Sequence, residues 1–158
     1  MQNLFTSLVI EENLDGSFSS SIKKKSVEDL PIGELLIKVS YSSLNYKDAL
    51  SVSGNKGVTK SYPHTPGIDA VGIVEYSETE KFKIGDEVIV SGFDLGMNTS
   101  GGFGQYIRVP NKWACHLPNG LSALDSMAIG TAGLTAGLSA YELKKLNGIE
   151  GREAVITG

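Results

Sequence analysis

The 158-residue sequence predicts an α+β fold that is mainly β, with helices joining late. Three observations carry this. Short alternating or β-branched runs recur between Gly, Pro and Asp turns as far as residue 109. Glycine supplies 19 residues, above its usual share of roughly 7%, so many backbone positions belong to turns, bulges or close approaches. From Ser122 onward the apolar positions change to helical spacing.

The elements follow in order. Residues 4–11 and 17–24 alternate and flank Asn13-Leu14-Asp15-Gly16, and Asp-Gly between alternating runs marks a hairpin. After Pro31 and Gly33, residues 34–41 read as a strand from their β-branched and aromatic content. Residues 44–52 suit a short helix with Ser43 as its N-cap. Beyond the Pro63-His64-Thr65-Pro66-Gly67 turn, residues 68–76 are apolar on both faces. They read as a buried strand with Gly72 at a close approach. Lys83-Ile84-Gly85-Asp86 turns into a strand over 87–90, and residues 104–109 give another; Cys115 and His116 sit side by side on a further one. Short strands at this spacing imply a small barrel.

The helical part opens at Ser122, which with Asp125 makes a variant capping box, and it runs through Leu124, Met127, Leu134, Leu138 and Tyr141. The chain closes on an apolar strand over 151–158 that stops at Gly158. A buried strand ending in glycine is how a dinucleotide-binding βαβ unit begins. No partner helix follows, so the sequence is expected to be a piece of a longer protein.

Composition excludes several classes. With 14 Lys+Arg against 18 Asp+Glu the formal charge is −4, which gives no general field to attract nucleic acid. The one basic run, Lys23-Lys24-Lys25, falls short of a polybasic patch of roughly 4–8 residues and reads as a solvated strand end. A single cysteine excludes an internal disulfide and any Cys-x-x-Cys metal site. The N-terminus lacks the features of a signal peptide, and no apolar run approaches the ~20 residues of a membrane span, so the chain is expected in the cytoplasm, away from membranes.

Four motifs occur in register: Ser42-Ser43-Leu44-Asn45-Tyr46-Lys47-Asp48-Ala49-Leu50, Pro66-Gly67-Ile68-Asp69-Ala70-Val71-Gly72, Gly85-Asp86-Glu87-Val88 and Gly101-Gly102-Phe103-Gly104-Gln105-Tyr106. Each alone is weak. Together they resemble the medium-chain dehydrogenase/reductase superfamily. The Asn-Tyr-Lys-Asp form and Gly130-Thr131-Ala132-Gly133-Leu134-Thr135-Ala136 resemble its zinc-independent YhdH/YhfP branch of quinone oxidoreductases and acrylyl-CoA reductases.

The resemblance implies a GroES-like catalytic domain over 1–121. Residues 122–158 would then be interdomain helices and the start of a truncated dinucleotide-binding domain. It also implies NADPH as cofactor, held mostly by the missing part; a small-molecule substrate; and a homodimer for the full-length protein. By itself the fragment is expected to be inactive.

Where zinc-dependent relatives hold their metal with Cys, a His-Glu pair and Cys, this sequence has Asn45, Ile68-Asp69 and Thr131. An amide, an aliphatic side chain and a hydroxyl do not replace thiolate and imidazole for zinc, so no metal site is expected. Metal-free hydride delivery to an already polarised double bond remains feasible, which points to reduction of a quinone or an α,β-unsaturated carbonyl such as acrylyl-CoA. The resemblance makes Tyr46 the candidate catalytic donor or proton source and also a substrate contact; the residues alone also allow a partly buried helix aromatic whose hydroxyl caps a neighbour. Asn45 is a candidate for contact with the carbonyl or the nicotinamide edge.

Lys47 either faces an anionic end of the substrate or is simply a solvated helix residue. Asp48 is expected to orient its neighbours. Thr131 and Thr135, four apart on one helix face, are candidate cofactor contacts; back-bonding of their hydroxyls to the preceding turn is the ordinary alternative. Other zinc-independent branches, such as ζ-crystallin-like quinone reductases or enoyl thioester reductases, share this logic. A GroES-like binding module is the non-enzymatic alternative.

Overall fold

The computed structural model describes residues 4–146, 151–153, 155 and 156. Strands β1 (Leu4–Glu12) and β2 (Phe18–Ser26) form the antiparallel hairpin the Asp-Gly signal predicts. Asp15 Oδ1 accepts from the Ser17 N–H at 2.9 Å and from its hydroxyl at 2.6 Å, and Gly16 takes a φ of 79°, which costs glycine nothing.

Five strands make the main sheet in the order β6-β3-β4-β5-β7, with every neighbouring pair antiparallel. They are β3 (Leu35–Ser42), β4 (Asp69–Ser77), β5 (Glu87–Ser91), β6 (Tyr106–Val109) and β7 (Ala114–His116). The hairpin curls onto this sheet. β1 exchanges backbone hydrogen bonds with His64 through Ile10, and with Phe103 and Gln105 through Leu8 and Thr6.

The interior is apolar. Leu35, Ile37, Val74, Phe82, Val88, Ile107 and Val109 are sealed from water in one cluster. Phe5, Val27, Leu30 and Leu36 fill a smaller one, with Phe5 edge-on to Tyr106 at 5.7 Å. Gly72 sits at a close approach as expected: a Cβ there would collide with the Lys38 carbonyl of β3. Both-face burial of β4 holds continuously only over its first four residues, the end at which Thr131 bonds to Asp69.

Helix α1 spans Tyr46–Val52. Its N-cap is Asn45, not the expected Ser43, and the reason is local. The Asp48 carboxylate accepts the Asn45 N–H at 2.8 Å, so the helix starts one residue after Asn45, while the Ser43 hydroxyl turns to Asp69.

Helix α2 covers Ala123–Lys145. Its N-cap Ser122 accepts from the Asp125 N–H at 3.0 Å, and the helix breaks at Gly130 (φ 52°, ψ −165°). Before the break Met127 is buried; beyond it Leu134, Leu138, Tyr141 and Leu143 are exposed.

The expected closing strand is not formed by residues 151–153, 155 and 156, which lie outside any ladder, with Val155 90% and Ile156 93% exposed. A lone strand without a neighbour has no ladder to join. Its other residues fall outside the described ones. Among the described residues no helix is long and apolar enough to cross a membrane.

Candidate active site

The first residue of β4 is a carboxylate with no exposed surface: Asp69. Burial of a charge is tolerated only when it is fully hydrogen-bonded, and here five donors converge on it. Oδ2 accepts from the Ser43 hydroxyl at 2.6 Å, the Asn45 side-chain amide at 2.9 Å and the Thr131 N–H at 2.8 Å. Oδ1 accepts from the hydroxyls of Ser91 at 2.5 Å and Thr131 at 2.6 Å. Burial works to raise the pKa of this group, but the bonds from Ser43, Ser91 and Thr131 outweigh it and hold the carboxyl below its ordinary value.

Three separate elements deliver these donors. Asn45 and Ser43 precede α1. Ser91 ends β5 directly opposite Asp69 in the ladder. Thr131 starts the outer half of α2, and the break at Gly130 aims its N–H at Asp69. A side chain at position 130 would press on Ser43 Oγ at 2.9 Å and Asp69 Oδ2 at 3.1 Å, so glycine is required there for room as well as for its positive φ.

A second buried carboxylate, Asp48, lies on α1. It accepts from three backbone groups: Asn45 N–H at 2.8 Å, Gly67 N–H at 3.0 Å and Ile68 N–H at 3.0 Å. It thus ties α1 to the turn ahead of β4. Burial raises its pKa, the three backbone bonds work against that, and the negative charge of Asp69 adds to the rise.

The structure brings Asn45, Asp69 and Thr131 together but leaves the other candidates outside the cluster. Tyr46 is 79% exposed on the first turn of α1, and Lys47 is exposed beside it. Thr135 is exposed, and its hydroxyl donates to the Thr131 carbonyl at 2.8 Å, the back-bonded arrangement. Sequence reasoning missed Ser91 and gave Ser43 a different task. The available signal was a carboxylate inside a buried strand, which demands donors from whatever pairs with it.

The donor set does not suit zinc. It offers one carboxylate, already engaged by five donors, with an amide and hydroxyls. Among the described residues no three His, Cys, Asp or Glu side chains gather. His64 is buried elsewhere, with its Nε2 2.8 Å from the Gly96 carbonyl, and burial lowers its pKa.

Ser91 and Gly130 also wall an apolar cleft of about 360 Å³ between β5, β7 and α2. Phe93 and Trp113 stack at its edge with ring centroids 5.4 Å apart, and Ile89, Met127 and Leu134 line it.

The alcohol dehydrogenase GroES-like domain profile matches residues 31–119, more than half of the sequence. The chain belongs to that family. The acrylyl-CoA reductase AcuI of Ruegeria pomeroyi is 40% identical over 142 residues, covering 89% of this chain and 43% of the relative. YhfP of Bacillus subtilis, provisionally named a quinone oxidoreductase, is 42% identical over 160 residues, covering 100% of this chain and 48% of the relative.

Among solved structures, the YhdH oxidoreductase of Salmonella enterica in complex with NADP superposes with a TM-score of 0.85 at 39% identity, over 89% of this chain and 43% of that one. YhfP with NAD bound gives 0.86 at 42% identity, over 90% and 43%. This GroES-like chain therefore spans about half the length of the curated relatives it matches, and the expected α+β fold is borne out.

Proposed function

We propose that this chain is the substrate-side portion of an NADPH-dependent oxidoreductase that reduces a quinone or an α,β-unsaturated carbonyl such as acrylyl-CoA without a metal. In this reading residues 1–121 are the catalytic domain, and 122–158 lead into a dinucleotide-binding domain. The observation that carries it is the exposed phenol of Tyr46, held on the first turn of α1 directly after Asn45, whose side chain is bonded into the Asp69 cluster. The relatives at about 40% identity support the reaction class.

The groups at hand suit a nicotinamide. Asn45, Thr131 and Thr135 are uncharged, as a planar carboxamide edge requires, and the Asp69 charge beside them is already satisfied by its donors. The cofactor, when bound, supplies a hydride. This chain's residues do the rest. Tyr46 holds its phenolic proton at the substrate oxygen that gains negative charge. Both Nδ2 protons of Asn45 are committed, to Asp69 and Ser43, so it offers Oδ1 as an acceptor to the carboxamide N–H of the nicotinamide edge, and Lys47 faces an anionic end of the substrate.

In the intact protein, assayed with NADPH and either acrylyl-CoA or a simple quinone, Tyr46→Phe is expected to reduce turnover by about 10²–10³, the loss typical of one oxyanion donor. Unchanged turnover would remove Tyr46 from the mechanism.

A further inference from the structure

We infer that Asp69 is a positioning residue of this site: its carboxylate sets the orientation of the Asn45 side chain and of Thr131, while Asp48 independently holds the backbone on which Asn45 sits. The inference rests on the proposed reading for its catalytic consequence, and on geometry alone for the rest.

Proton accounting carries the argument. Ser43, Ser91 and Thr131 have one hydroxyl proton each, and all three hydroxyls lie 2.5–2.6 Å from Asp69 oxygens. The Ser91–Thr131 contact at 3.0 Å then has no proton of its own, so these two side chains are held in place by the carboxylate and not by each other. Adding the Asn45 amide and the Thr131 N–H makes five donors on two oxygens. Only an ionised carboxylate has acceptor sites for nearly all of them. An asparagine at 69 offers one oxygen and turns two N–H groups toward donors, so at least two of the five lose their partner.

Two carboxylates therefore divide the work. Asp48 takes backbone N–H groups of Asn45, Gly67 and Ile68 and fixes where α1 lies. Asp69 takes side chains and fixes where they point. Substitution at 69 leaves the Asp48 contacts intact, which separates orientation from folding.

The test is a ¹H–¹⁵N NMR spectrum of the 158-residue chain, comparing wild type, Asp69→Asn and Ser91→Ala. Charge-assisted bonds are the short, strong ones, so the Thr131 N–H and the Asn45 side-chain amide are expected to shift strongly on Asp69→Asn, while the Gly67 amide, bonded to Asp48 and not adjacent to the substitution, moves far less. Ser91→Ala covers the case in which Asp69→Asn does not fold. Ser91 makes no bond to Asn45, so movement of the Asn45 amide signal in that variant must pass through Asp69.

Unmoved Asn45 and Thr131 signals, or equal movement of the Gly67 amide, would overturn the inference. In the intact enzyme Asp69→Asn is expected to lower kcat by about 10- to 100-fold, the cost of a misplaced reacting group, with substrate KM nearly unchanged. Retained kcat with a lowered melting temperature would make Asp69 merely structural. Wild-type protein without NADPH-dependent activity would defeat the proposed function, while the spectra would still decide the positioning of Asn45 and Thr131.

Discussion

Inside the sheet, Leu35, Ile37, Val74, Val88 and Ile107 are buried against one another. At the start of β4 the same depth of burial is reached by a charged group, Asp69, surrounded by hydroxyls and amides. The first region is held by a non-directional force that scales with apolar area; the second is held by bonds that fail when an atom moves by less than an ångström. The apolar interior tolerates exchange of one hydrophobe for another of similar volume, whereas the polar cluster tolerates almost none. Changes in the first should therefore register as stability, and changes in the second as orientation.

The contrast is sharpest at Phe82, fully buried in the apolar cluster and tilted against His116 at 4.8 Å. Phe82→Ala is expected to destabilise the fold by about 3–5 kcal/mol, read from urea unfolding, while the Asn45 and Thr131 amide signals of the fraction still folded keep their positions. Movement of those signals would show that the two regions are not independent.

A middle-sized effect comes from pH. The pKa of Asp69 is lowered by its donors despite burial, so its contribution is present above the unfolded value near 3.8 and is lost as pH falls through the lower folded value. Asp48 has the opposite sign. Burial raises its folded value, so stability declines as pH rises from the unfolded value through the folded one. Urea midpoints across the acid range should show Asp69→Asn flattening the acid-side loss and Asp48→Asn flattening the decline toward neutral pH. The same slope in both variants would break the division of labour between them.

The smallest effect belongs to the surface. Lys23 and Glu11 pair across the hairpin at 2.6 Å while both remain substantially exposed. Lys23→Ala is expected to cost only about 0.2–1 kcal/mol, and a larger loss in the same unfolding measurement would mean the hairpin is held by charge more than by its docking on the sheet.

Local chemistry made much of this legible from sequence. Asp15-Gly16 dictates the hairpin because only certain residues adopt that turn, and Gly72 announces a close approach because nothing else fits under Lys38. The meeting of Asn45, Asp69 and Thr131 came through resemblance, since the three lie 24 and 62 residues apart and no periodicity links them.

What escaped was set by tertiary partners. Ser43 has the chemistry of a cap, but Asp69 competes for its hydroxyl. Ser91 looks like an ordinary strand end until register places it opposite Asp69. Leu134, Leu138 and Tyr141 have the spacing of a buried face yet stand exposed, because periodicity says that a helix forms and not what lies against it.

The diversion of the Thr131 N–H to Asp69 has one more effect. A helix transmits order along its length because each turn's amides are committed to the turn before. At Thr131 that relay is cut and handed to a side chain from the sheet. The fifteen residues beyond Gly130 therefore take their first amide anchor from the sheet, at Asp69, and not from the turn that carries Met127.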